Sequence, residues 1–208
     1  MTILLTALLA LAAFLLGAVP FSVIIGKLML QKDITLYGDG NPGAANVFRA
    51  GHSKSIGLLA VLLDVAKGVP LVLLSHTLFS VPVSSTVIIA VAAVSGHAFS
   101  PFRRWHGGKA IAVTFGVMLG LPQYDVLLAF IVFVLIGFFL IEIDGWKIIF
   151  GAAGTFIFLF ATHGVSWEPS LMVLLMAILV IKHFEDLHSL PRFHGLLFRW
   201  VQARRRNA

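Results

Sequence analysis

Asp39, Asn41, Asn46 and Arg49 fall in one short stretch, DITLYGDGNPGAANVFR (residues 33–49), together with Gly38, Gly40 and Gly43. Glycines at such spacing permit positive φ and let backbone approach a ligand closely. Consecutive N–H groups of that backbone can form an anion nest. Arg49 adds a planar fork that matches phosphate or carboxylate. A flexible connection is the plainer alternative, but two asparagines and an arginine exceed what a turn requires. The chemistry expected is capture of a small anion.

A second stretch, GHAFSPFRRWHGGKAIA (96–112), sets Gly107, Gly108 and Lys109 just before an expected helix. Helix dipole, exposed N–H groups and an ammonium would then act together on an anion. The spacing is not that of a P-loop. Arg103 and Arg104 suit anchors at lipid headgroups, and His97 reads as a hydrogen-bonded structural histidine near a helix end. A third group, DVAKG (64–68), carries Asp64 and Lys67 at i, i+3, hence on one helical face. Each charge costs about 2.5–3.5 kcal/mol at mid-bilayer, so the two are expected to pair or to face the bundle. Structural and catalytic roles both remain open for them, with orientation of a neighbouring loop favoured.

The fourth group, IKHFEDLHSL (181–190), sets His183 and Asp186 one helical turn apart, and EIDGWK (142–147) adds Asp144 and Lys147. No HExxH or clean His/Asp set is present, so no metal is expected, and the lack of GxSxG argues against a serine hydrolase. Arg49, Lys109, Lys147 and His183 are expected to converge on one side of a membrane. Such a site suits a phosphorylated substrate, with the acyl chain of a lipid-like co-substrate between helices.

The elements that must position these groups are transmembrane helices. The chain has 208 residues, 59% of them apolar, in long runs, and a mean hydropathy of +1.00. That excludes a soluble domain. Cysteine is absent, which removes disulfides and thiolate chemistry. Segments near 3–29, 55–77, 82–99, 109–122, 124–142, 146–163 and 168–188 read as an all-α bundle of seven spans. The fourth is short and glycine-containing, which keeps a six-span count open. Pro20 predicts a break in the first helix and Pro70 a kink in the second. The first segment lacks a basic leader and reads as a retained helix.

Seven spans put every Lys and Arg except Lys67 in or near the odd-numbered connections and the C-terminus. The positive-inside rule makes that side cytoplasmic and the N-terminus external. The formal charge of +6 then reflects topology and anionic lipid, not nucleic acid. One polytopic domain is expected over 1–190. A basic amphipathic tail over 191–208 is expected on the inner leaflet.

Taken in order, GAVPFSVIIGK (17–27), DITLYGDGNPGAANVFR, DVAKG, GHAFSPFRRWHGGKAIA and KHFED (182–186) resemble the bacterial acyl-phosphate:glycerol-3-phosphate acyltransferases, the PlsY family. The resemblance covers nearly the whole chain. It implies a seven-helix inner-membrane enzyme that moves an acyl group from acyl phosphate to the 1-hydroxyl of glycerol 3-phosphate, yielding lysophosphatidic acid and phosphate. It implies no cofactor, metal or coenzyme A. Arg49 and Lys109 look like the phosphate-binding cations, Asn46 like the asparagine that shapes the first loop, and His183 like the polar residue of the last motif. Gly38, Gly40 and Gly43 look like the phosphate cradle.

The chain also departs from the family pattern. Asp39 stands where serine is usual, Asp186 where asparagine is, Ala110 where glycine is, Ala45 where threonine is, and Phe184 where arginine is. Lys147 falls where a serine is common. Two added carboxylates repel a dianion unless protonated or paired. A silent relative that binds lipid or a partner, and a small transporter, are the alternatives to an active acyltransferase.

Overall fold

Helices carry nearly all the regular structure, as the apolar runs require. The computed structural model describes residues 2–51 and 53–194, so residues 195–208 of the expected basic tail lie outside the described residues. The described residues group into two compact units, Met1–Tyr124 and Asp125 onward.

In the first unit, α1 (Thr2–Ala18) and α2 (Phe21–Met29) are separated by Val19 and Pro20, the break that proline predicts. The 33–49 stretch is not all loop. After a 3-10 turn at Ile34–Leu36, residues Ala44–Gly51 form a helix, α3. Its apolar face, Val47 and Ala50, joins Ile34 in a cluster with Val23 and Ile25 of α2 and Ala60 of the next helix. That cluster fixes the polar stretch to the bundle. Helix α4 (Lys54–Ala66) ends before Gly68, and α5 (Val69–Thr77) restarts with Pro70 in its first turn, where its missing N–H costs nothing. Helices α6 (Val83–Ala98) and α7 (Ile111–Leu119) complete the unit.

Helix α1 turns one face, mostly of small residues, inward. Thr6, Leu9, Ala13 and Gly17 are buried, whereas Ile3, Leu4, Leu8, Leu11 and Leu15 are exposed. Outward bulk and inward small residues are the pattern of lipid-facing helices in close contact. A Cβ on Gly17 would strike the Ala93 carbonyl of α6, and one on Gly96 would strike the Phe14 carbonyl of α1.

The second unit holds α8 (Asp125–Leu140), α9 (Asp144–His163), α10 (Trp167–Lys182) and the short α11 (Phe184–Leu187). Gly137 of α8 lies against the backbone of Lys147 in α9, and Leu128, Val132, Leu135 and Phe139 are exposed.

Every expected span has a helical counterpart, but their lengths differ. Among the described residues, four continuous or broken stretches are long and apolar enough to cross a membrane: Thr2–Met29, Lys54–Thr77, Val83–Arg103 and Asp144–His163. Helices α8 and α10 have 16 residues each. Helix α7 has nine, a rise of about 14 Å at 1.5 Å per residue, against a hydrocarbon core of about 30 Å. Of the glycines that flag α7 as the weakest span in the sequence, Gly116 lies buried within it and Gly120 caps its C-terminus.

Candidate active site

The break at Pro20 organises the first unit. Proline has no N–H, and the end of α1 leaves carbonyls without helical donors. Two side chains from elsewhere supply them. Ser100 Oγ donates to the Ala18 carbonyl at 2.6 Å, and Lys67 Nζ donates to the Val19 carbonyl at 2.8 Å. Lys67 also pairs with Asp64 at 2.7 Å, and Asp64 accepts from Ser22 Oγ at 2.6 Å. His97 Nδ1 lies 3.9 Å from the same carboxylate. Asp64 and Lys67 are both buried, so this is the pairing that insertion into lipid demands. Ser22 and Ser100 are the residues that sequence reasoning missed. The signal was available, since a proline inside a span implies replacement donors from neighbouring helices.

His97 carries the next link. Gly108 N–H donates to the His97 carbonyl at 3.1 Å. A Cβ on Gly107 would strike that same carbonyl, and one on Gly108 would strike the His97 ring. These glycines therefore let the turn before α7 pack on the end of α6. The amide of Gly108 is spent on protein and not offered to an anion. Lys109 follows at once, and Ala110 takes the left-handed conformation at φ 65° as α7 begins.

Lys109 meets the 33–49 stretch at Asp39. Its Nζ lies 3.0 Å from Asp39 Oδ2, and Arg49 Nη1 lies 3.7 Å from Asp39 Oδ1. Asn46 Nδ2 donates to Asp39 Oδ1 at 2.9 Å, and the Asn41 N–H donates to the same oxygen at 3.2 Å. Asn46 is buried and central. Its Nδ2 also donates to the Asn41 carbonyl at 2.9 Å, and its Oδ1 accepts from Arg49 Nη1 at 2.8 Å. The i, i+3 spacing of Asn46 and Arg49 on α3 produces that last bond. Gly38 is needed twice here. Its φ is +58°, and a Cβ would collide with Arg49 Nη1 and Asn46 Oδ1.

The expected amide nest is not what the stretch builds. Gly40 N–H donates to the Tyr37 carbonyl at 3.1 Å, Gly43 N–H to the Asn41 carbonyl at 2.8 Å, and Asn41 N–H to Asp39. Glycine serves the turns and the passage of Arg49, while the side chains of Asn46, Arg49 and Lys109 gather around Asp39. Partial burial of Asp39 pushes its pKa up. The hydrogen bond from Lys109, the Asn41 N–H, the Lys109 charge and the Asn46 amide outweigh it and hold the carboxyl below the ordinary range. Beside this cluster a small recess of about 10 Å³ is lined by Pro42, Lys67, His97, Ser100, Arg103 and Gly107–Gly108, together with the backbone at the Pro20 break.

The second unit assembles its own polar end. Lys147 Nζ donates to Asp144 Oδ1 at 2.6 Å and lies 4.8 Å from the Phe138 ring centroid. His183 is buried where α10 ends, its Nδ1 2.9 Å from the Leu179 carbonyl. Asp186 packs on the first turn of α9 at Gly145, where a Cβ would collide with it. Trp146 Nε1 donates to the Ser189 carbonyl at 2.7 Å and ties the chain after α11 to α9. Among the described residues no group of three His, Cys, Asp or Glu could hold a metal ion.

Comparisons with known proteins point to one family. The sequence model of the glycerol-3-phosphate acyltransferase family matches residues 7–192. A glycerol-3-phosphate acyltransferase of Anaeromyxobacter sp. (strain K) is 35% identical over 91% of this chain and 95% of its own length. One of Ralstonia pickettii (strain 12J) is 31% identical over 89% and 90%. The crystal structure of PlsY, described as an integral membrane glycerol 3-phosphate acyltransferase, superposes in its glycerol 3-phosphate form with a TM-score of 0.77. Its identity is 27%, over 93% of this chain and 92% of that one. The lysophosphatidic acid form of PlsY gives 0.74 over the same shares.

Proposed function

The chain belongs to the glycerol-3-phosphate acyltransferase family, and we propose on that footing that it transfers a fatty acyl group from acyl phosphate to the 1-hydroxyl of glycerol 3-phosphate. The observation that carries the reading is the meeting of Arg49 and Lys109, from separate connections, on one carboxylate. Two cations that share one anionic group are the equipment for holding a phosphate.

The reaction asks little more of the protein. Acyl phosphate is already activated, because phosphate is a good leaving group. The 1-hydroxyl oxygen attacks the acyl carbon, and the bond from that carbon to the phosphate oxygen breaks. Phosphate leaves with the bonding pair, and the hydroxyl proton passes to a substrate phosphate oxygen. The products are lysophosphatidic acid and inorganic phosphate. The protein contributes orientation and charge stabilisation through Arg49, Lys109 and the Asn46 amide. Asn46 orients Arg49 and does not need to touch the reacting atoms.

The reading includes seven crossings, an external N-terminus and an active face on the cytoplasmic side of the bacterial inner membrane. The distribution of Lys and Arg supports it. The acyl chain of the donor lies between helices and the phosphate lies at the lipid boundary.

The test is direct. Purified protein in liposomes receives acyl phosphate and glycerol 3-phosphate, and lysophosphatidic acid and phosphate are measured together. Equal amounts of both products are expected. Absence of lysophosphatidic acid from the parent protein, from Asp39→Asn and from Asp39→Ser, all folded, would overturn the reading.

A further inference from the structure

We infer that Asp39 is a resident counter-anion that sets charge selectivity at the Arg49–Lys109 pair and turns it against dianionic phosphate monoesters. The inference rests on the acyltransfer reading for the identity of the ligand, and on geometry for everything else.

Three donors converge on this one carboxylate, Lys109 Nζ at 3.0 Å, Asn46 Nδ2 at 2.9 Å and the Asn41 N–H at 3.2 Å, and the Arg49 guanidinium stands close by with Nη1 at 3.7 Å. Both cations thus face an ionised carboxylate that the Asn41 and Asn46 bonds hold in place. Asp39 therefore occupies the place that the two cations would otherwise give a ligand. An arriving phosphate has two routes. It displaces the carboxylate and breaks these contacts, or it shares the cations with a like charge held close by. Both routes lower affinity, and both weigh more on a dianion than on a monoanion. The side chains of Arg49, Lys109 and Asp39 sum to a single positive charge where the two cations alone would give two.

Asp39 is poorly suited to accept the proton of the reaction. Its donors hold it ionised and weakly basic, as their number and charge require. It can be read as a purely structural residue, because its bond from the Asn41 N–H closes a local turn. The two roles predict opposite results. A structural Asp39 positions Asn46 and Arg49, so its loss weakens phosphate binding. A counter-anion competes with phosphate, so its loss strengthens binding.

The experiment measures equilibrium binding of radiolabelled glycerol 3-phosphate, and separately of inorganic phosphate, to the parent protein, Asp39→Asn and Asp39→Ser. Asparagine keeps an oxygen for the Asn41 and Asn46 bonds, removes the charge and puts an N–H donor where Oδ2 met Lys109, so it frees both cations while leaving the local turn in place. Serine removes the charge and that oxygen, and melting curves check that each variant is folded. Asp39→Asn is expected to bind glycerol 3-phosphate about tenfold more tightly, equivalent to about 1.4 kcal/mol. Its gain is expected to shrink as salt rises, because a cation's pull on a solvent-exposed ligand is screened. The KM for glycerol 3-phosphate is expected to fall in parallel. Unchanged or weaker binding by Asp39→Asn overturns the inference. Because binding is read without turnover, failure of the inference stays separate from failure of the acyltransfer reading. The latter would appear as no lysophosphatidic acid from any of the three proteins, whatever their affinities.

Discussion

Lys67→Met is the perturbation that most sharply probes how the first unit is built. Lys67 makes two buried contacts, with Asp64 at 2.7 Å and with the Val19 carbonyl at 2.8 Å. Methionine fills similar volume and removes both. Asp64 keeps Ser22 Oγ, and His97 lies 3.9 Å away, but the carboxylate loses its close cation. Breaking a buried pair by removing one partner costs about 3–5 kcal/mol. The orphaned carbonyl at the helix break is part of that figure and is not added to it. For a chain of this size about 2–4 °C of melting temperature accompanies each kcal/mol, so a fall on the order of 10 °C is expected. The double variant Asp64→Asn/Lys67→Met removes both charges and is expected to recover part of the loss, because no uncompensated charge remains. Melting of purified protein in one detergent, followed by intrinsic tryptophan fluorescence, reads both. A fall of under about 2 °C for Lys67→Met would refute the claim that this pair holds the Pro20 break. A double variant less stable than the single would refute the charge argument.

Other outcomes follow from the same geometry. Gly107→Ala drives a Cβ into the His97 carbonyl. Backbone cannot yield as a side chain does, so a loss of about 1–3 kcal/mol and a higher KM for glycerol 3-phosphate are expected, and unchanged melting and kinetics would contradict the packing. The carboxyl of Asp39 titrates below its ordinary range. Its contribution to stability is therefore complete above the unfolded value of about 3.9 and is lost only as pH falls through the lower folded value. The melting difference between the parent protein and Asp39→Asn should stay constant from pH 8 to pH 5. A difference that closes near pH 6 would show the carboxyl titrating in the neutral range.

Much of this architecture was legible because lipid makes strict demands. Long apolar runs with sparse charge imply helices, and each expected span has one. Pro20 announced its break. Asp64 and Lys67 announced their pairing, since neither charge is tolerated alone in hydrocarbon. Other features were hidden. Helix α3 lay inside a stretch that glycine, asparagine and proline mark as irregular, and its period of Val47 and Ala50 is too short to stand out. The use of the glycine amides in that stretch depends on which local turns form, and residue types alone do not fix that. The carbonyls of Tyr37 and Asn41 take the amides of Gly40 and Gly43, which the sequence offered as an anion nest. Lys147 donates to Asp144, three residues before it in α9. Arg49 and Lys109 were nameable as cations, but their meeting at Asp39 needed the fold.

That meeting is the central claim, and a double-variant cycle on glycerol 3-phosphate binding tests it most directly. Arg49→Gln and Lys109→Gln are each expected to weaken binding by about 1.5–3 kcal/mol, the value of a charge-assisted hydrogen bond. If both cations hold one phosphate, the double variant should lose less than the sum of the single losses, by more than about 0.5 kcal/mol. Losses that add to within that margin would mean the two cations act on separate ligands.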